Sequence, residues 1–184
     1  MNVPTRHVGP ESSGLSAFRE ALRALYAELD AAIGRLAPVC ELSGRCCRFK
    51  DYDHTLFLTA AEAAFLRAEA GPPVRALDAG ETCPWQDARG RCTAREGRPI
   101  GCRVYFCDPR YQGHAPELSE TFLARLRALV ETHGLPWDYA PLHVHLNRAV
   151  QAGRFPVGDP VPLESHARST LERPEADSRL PILT

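Results

Sequence analysis

Apolar residues Leu15, Phe18, Leu22, Leu25, Tyr26, Leu29, Ile33 and Leu36 recur at steps of three and four. That spacing predicts an amphipathic helix over residues 13–36 with one face turned to a core or a partner. Its polar face mixes both charge signs, which suits a packing helix better than one lying on a membrane. After a cysteine-rich stretch, residues 54–58 read as a short extended segment. Thr59 followed three residues later by Glu62 is a capping box. It opens a second helix over residues 60–69, and Gly71-Pro72-Pro73 stops it. A third helix is predicted over 116–133, with Leu118, Phe122, Leu126, Leu129 and Val130 on one face and Gly134 at its end. A shorter one is expected over 141–151.

Between these helices, residues 80–111 show little periodicity. They carry four cysteines among Gly, Pro and Arg, and such a stretch is poorly placed to hold itself by packing alone. The expected fold is therefore mainly α, a small irregular cysteine-rich domain centred on metal, with flanking helices and a loop-rich core. Residues 1–12 are expected to be a flexible N-terminus and residues 13–153 a single cysteine-cluster domain. Residues 154–184, rich in Pro, Ser and charge, are expected to be an extended or partly disordered tail.

Composition narrows the function classes. The chain has 184 residues and a net charge of −1, so no large field invites nucleic acid or an anionic membrane. Lys50 is the only lysine beside many arginines, a compositional bias with no functional meaning of its own. No stretch approaches the roughly 20 apolar residues of a bilayer span. The N-terminus, Met1 to Pro10, lacks the apolar centre of a signal peptide, which leads to a cytoplasmic expectation. Thiols there stay reduced, so seven cysteines need a purpose other than disulfides.

The cysteines fall into three groups: Cys40, Cys46 and Cys47; Cys83 and Cys92; Cys102 and Cys107. Turn-forming Gly44, Pro84, Gly90 and Gly101 stand beside them and let thiolates converge. None of the seven lies on a predicted amphipathic stripe, which argues against inert packing, and an odd count argues against a pure disulfide framework. Thiolate is the donor that zinc, Cu(I) and iron–sulfur clusters prefer. All seven are candidate metal ligands. The spacings include neither the C-x2-C pair of a zinc finger nor the ferredoxin run.

These blocks resemble a known family. Cys40-Glu41-Leu42-Ser43-Gly44-Arg45-Cys46-Cys47 is similar to the C-x-x-C-G-x-C-C opening of the YkgJ-like cysteine-cluster proteins, a family of zinc- or iron-chelating domains. Cys83-Pro84-Trp85, Arg91-Cys92-Thr93 and the run from Arg98-Pro99 through Cys102-Arg103 to Cys107 resemble its later blocks, in order. Ser43 departs from the pattern, standing where the family has its second cysteine, so an eight-thiolate site cannot form. The resemblance implies a metal-binding role. Some multidomain relatives, flagellin lysine methylases among them, are associated with an iron–sulfur cluster in this module. It thus favours an iron–sulfur cluster, 4Fe-4S, over the alternative of zinc.

Four thiolates satisfy one cubane or one zinc. Three of the seven are then spare, or two metals share bridging thiolates. Adjacent Cys46 and Cys47 diverge in an extended backbone, so one of them at most faces a given metal unless a turn redirects both. Arg45, Arg48, Arg91, Arg98 and Arg103 lie near the cysteines and suit an anionic cluster, although Arg98 and Arg103 serve equally as loop caps or partners of Asp87, Glu96 or Asp108. His54, His114, His143 and His145 are candidates for the missing ligand, each more commonly a surface or packing residue. Asp51, Asp53 and His54 read as a solvated loop rather than a hard-metal or acid–base cluster. Trp85, Trp137 and Tyr139 read as core or lid aromatics rather than stacking platforms. No P-loop, dinucleotide-binding glycine pattern or nucleophile elbow is present. The functional expectation is a metal-binding protein with a redox or electron-transfer role toward a protein partner or substrate. A structural zinc module for protein interaction, or a metal-chelating or trafficking protein, is the alternative. Nothing in the sequence decides whether it is an enzyme.

Overall fold

The first helix, α1, runs Pro10–Leu36 in a computed structural model that describes residues 10–155, with side chains from Gly14 onward. It begins three residues ahead of the predicted start, since proline is well placed in a helix's first turn. It ends as expected, where Ala37 takes a positive φ of 47° before Pro38. Then come a 3-10 turn at Arg45–Cys47, strand β1 (Phe57–Thr59) and helix α2 (Ala60–Ala70). Helices α3 (Ile100–Arg103) and α4 (Ala115–Thr132), strand β2 (Tyr139–Pro141) and helix α5 (Leu142–Gln151) complete the order. The described residues are mainly helical, with one two-stranded sheet.

The capping box at α2 forms as predicted. Thr59 Oγ1 accepts from Glu62 N, and the Glu62 carboxylate accepts from Thr59 N. Strands β1 and β2 pair antiparallel with Leu58 opposite Ala140. Neither β2 nor the four-residue α3 was expected, because elements this short show no period in the sequence.

Two apolar cores divide the molecule. The first packs α1 on α4 through Phe18, Leu22, Leu29, Phe122, Leu126 and Val130, with Phe65, Ile100 and Val104 closing one side. Each such buried side chain contributes about 1.5–3 kcal/mol relative to exposure. The second gathers Phe49, Leu56, Leu58, Leu66, Trp85, Leu142 and Leu146 together with Cys47 and Cys83. Helix α2 serves both, Phe65 facing the first core and Leu66 the second. Residues 71–99 contain no helix or named strand and are tied by scattered backbone and side-chain hydrogen bonds instead.

The expected flexible segment 1–12 lies outside the described residues up to Val8 and Gly9, and the tail from 156 onward lies outside them too. Domain packing reaches past residue 153: Phe155 is buried against Trp85, and Arg154 N donates to Ala149 O. No helix among the described residues is long and apolar enough to cross a membrane.

Candidate functional site

The second core is where the cysteines meet. Gly44 adopts φ 68° and starts the turn that carries Cys46 and Cys47. A side chain there is excluded twice, by the left-handed backbone and by Gly90 O, which lies 2.2 Å from where a Cβ would sit. Gln86 clamps this approach, its amide donating to Gly44 O at 3.0 Å and to Gly90 O at 3.1 Å. The backbone seals the same junction, Cys83 N donating to Cys47 O at 2.8 Å.

Cys83 and Cys92 are folded toward each other by the loop between them. Asp87 accepts from Arg89 N and Arg91 N, closing a tight turn. Thr93 N and Oγ1 both donate to Trp85 O. Cys102 arrives on α3. That helix is fixed at its start by Ile100 N, which donates to the buried Glu62 carboxylate at 3.0 Å.

The 3-10 turn redirects both neighbours, so the divergence expected of Cys46 and Cys47 in extended backbone does not occur. Their sulfurs are 3.9 Å apart. The neighbouring thiols of Cys46, Cys83 and Cys92, together with burial, push the Cys47 thiol far above the ordinary range. The same contacts act in reverse on its partners. The neighbouring Cys47 thiol lowers Cys46 and Cys92 below the ordinary thiol range. Burial raises Cys102, whose neighbouring charges are Cys83, Cys46 and Cys92, with Arg98 opposing them. Five of the seven candidate ligands, Cys46, Cys47, Cys83, Cys92 and Cys102, thus share the second core.

The other two are not part of that core. Cys40 is exposed. Cys107 contacts Ser43, Oγ to Sγ 3.5 Å. Val39 N donates to Asp108 Oδ2 at 3.1 Å, which ties the chain before Cys40 to the residue after Cys107. The position that departs from the cysteine pattern therefore belongs to this periphery.

Of the histidines, His54 lies nearest the thiols, its Nε2 3.5 Å from Cys46 O and its ring stacked on Tyr105. Its Nδ1 is buried without a hydrogen-bond partner. His145 is committed to Leu58 O at 3.0 Å, and His114 precedes α4 at the surface. His143 sits against Gly80, on a helix where it diverges from His145.

Among the arginines, Arg45 and Arg48 flank the Tyr52 ring. Arg103 caps the carbonyls of Arg98 and Glu96, as a loop-capping reading expects, but its acidic partner is Asp30 on α1. Asp51 and Asp53 are exposed, Asp51 lying 3.7 Å from Arg48. Trp85 is core, whereas Tyr139 is 39% exposed and stacks between Phe57 and Trp137. Gln86 and Glu62, which hold the thiol segments in place, have no mark in the sequence beyond the capping box.

Among the described residues, no three or more His, Cys, Asp or Glu side chains enclose a ready position for a metal ion. What suits a metal is the chemistry of the donors: sulfur only, gathered from three chain segments, two of them lowered toward thiolate. No protein-family model, curated protein or solved structure matches the chain.

Proposed function

We propose that the chain is a metal-binding protein whose thiol group holds an iron–sulfur cluster and serves in redox or electron transfer with a protein partner or substrate. The observation that supports this reading is the packing of Cys46, Cys47, Cys83, Cys92 and Cys102, from three segments that share no secondary-structure element, in one core. Five sulfurs exceed the four that a cubane takes, and they exclude the peripheral Cys40 and Cys107 from the preferred ligand set. A bound cluster would supply one-electron chemistry. The chain's own part is to deliver thiolates and to bury them against Trp85 and Phe49.

Structural zinc is the second reading, favoured by the burial of Cys47 and Cys83 within an apolar core, as in a closed site that exchanges nothing. Metal and sulfide analysis of protein purified without oxygen, with its visible spectrum, separates the two. Iron and acid-labile sulfide with a reductant-bleached absorption support the cluster. A colourless protein with stoichiometric zinc overturns it in favour of the zinc module. Protein free of both metals overturns the metal reading.

A further inference from the structure

We infer that Gln86 is the positioning residue of the metal–thiolate centre: its side-chain amide sets the spacing between the turn that carries Cys46 and Cys47 and the loop that carries Cys83 and Cys92. The inference rests on the metal reading above. The turn is pinned at both ends. At its far end Cys47 O accepts from Cys83 N at 2.8 Å, and at its near end Gly44 O accepts from the Gln86 amide at 3.0 Å. One attachment would leave the turn free to swivel, whereas two fix its orientation, and Cys46 lies between them. The loop is gathered on the same residue. Gln86 N donates to Cys83 O at 3.0 Å, Gln86 pairs with Cys92 in an antiparallel bridge, and its amide also donates to Gly90 O at 3.1 Å. Cys46, Cys47, Cys83 and Cys92 thus each lie within three positions of a backbone group that Gln86 holds.

The chemistry needed at position 86 is narrow. Gln86 is 3% exposed, and both partners of its amide are carbonyl oxygens, which only accept. The amide therefore has one orientation, with its two N–H bonds spent on two oxygens; turned over, its own oxygen would face them both. Those carbonyls belong to two glycines whose backbones approach too closely for a side chain at Gly44, so the amide holds the segments at a separation that glycine alone permits. What Gln86 supplies is preorganisation. Thiols already spaced in the metal-free chain lose less freedom when a metal gathers them.

The test uses the full chain, reduced and metal-free, titrated with Co2+ alone, whose thiolate charge-transfer absorption grows with the number of sulfurs bound. Gln86→Met keeps the length of the side chain and removes both donors. It is expected to weaken Co2+ binding by about tenfold or more and to lower the charge-transfer absorption per bound Co2+ at saturation. Val130→Ala, in the first core between α1 and α4, is the control for stability alone. It is expected to lower the melting temperature while Co2+ affinity stays within about threefold of the parent and the saturated spectrum is unchanged. Far-UV circular dichroism reports folding. Should Gln86→Met fail to fold, Gln86→Asn, whose amide is one methylene short of spanning both carbonyls, is read by the same criteria. Parent affinity in the Gln86 variant overturns the inference. So does a loss of affinity that leaves the saturated spectrum unchanged, which makes Gln86 a structural residue. A parent chain that binds no Co2+ overturns the metal reading itself, and this inference falls with it.

Discussion

The hydroxyl of Ser43 lies 3.5 Å from the thiol of Cys107, and neither belongs to the group of five sulfurs around Cys47. A cysteine at position 43 would stand beside Cys107. This separates the seven cysteines by place, which their order along the chain does not.

The division is testable by substitution. Cys40→Ser and Cys107→Ser are expected to keep the metal content of the parent, while Cys47→Ser and Cys83→Ser are expected to lose most of it. Metal-to-protein ratios after oxygen-free purification decide it. Loss of metal in Cys107→Ser would bring the periphery into the centre and refute the division.

Gly44→Ala probes the turn that brings Cys46 and Cys47 together. The left-handed backbone alone costs about 1–2 kcal/mol with a side chain present. The close approach of Gly90 O and the Gln86 amide adds to that cost. Denaturant unfolding of the metal-free chain should show the loss, and metal content should fall with it. Unchanged stability would mean that the turn opens freely and that the clamp is unimportant.

Glu62 offers a stability test remote from the thiols. One carboxylate oxygen accepts from Thr59 N and Oγ1, the other from Tyr26 OH and Ile100 N. A glutamine there must aim its NH2 at one of these donor pairs whichever way it turns. The hydroxyl of that pair can turn to accept from the NH2, but the backbone N–H cannot, and leaving that buried donor unmet is expected to cost about 1–3 kcal/mol. Urea unfolding of Glu62→Gln measures it, and a change under about 1 kcal/mol would show that the four bonds are not maintained in solution.

His145 sets a pH dependence. Burial lowers its pKa below the ordinary 6.5, so the folded state binds this proton less readily than the unfolded chain. The sign follows: its stabilising contribution is full above 6.5 and is lost as pH falls through the lowered folded value. Thermal melts across that window should show falling stability, with a shallower slope in His145→Gln. An identical slope in the variant would assign the effect elsewhere.

The long helices were legible because their signals are local. The period-3.6 stripe of α1, the Thr59–Glu62 box and Gly134 each lie within a few residues of what they specify. Strand β2 was not legible, since Tyr139–Pro141 becomes a strand only through its pairing with Phe57–Thr59 some eighty residues earlier. The cysteine groups were visible as blocks. Their sorting into five and two was hidden, because it depends on Cys83 N finding Cys47 O, on Gln86 reaching Gly44, and on Asp108 holding Val39. Arg103 illustrates the same limit: its partner, Asp30, lies seventy-three positions away on α1.

Helix α2 has Phe65 in one core and Leu66 in the other, so it is a wall shared by two rooms. Neither core has a private wall on that side, and losing the shared one opens both. A ligand that bound at the sulfurs would stabilise α2 and with it the core of α1 and α4, which contribute no cysteine. Their melting temperature becomes a gauge of occupancy at a place they do not touch.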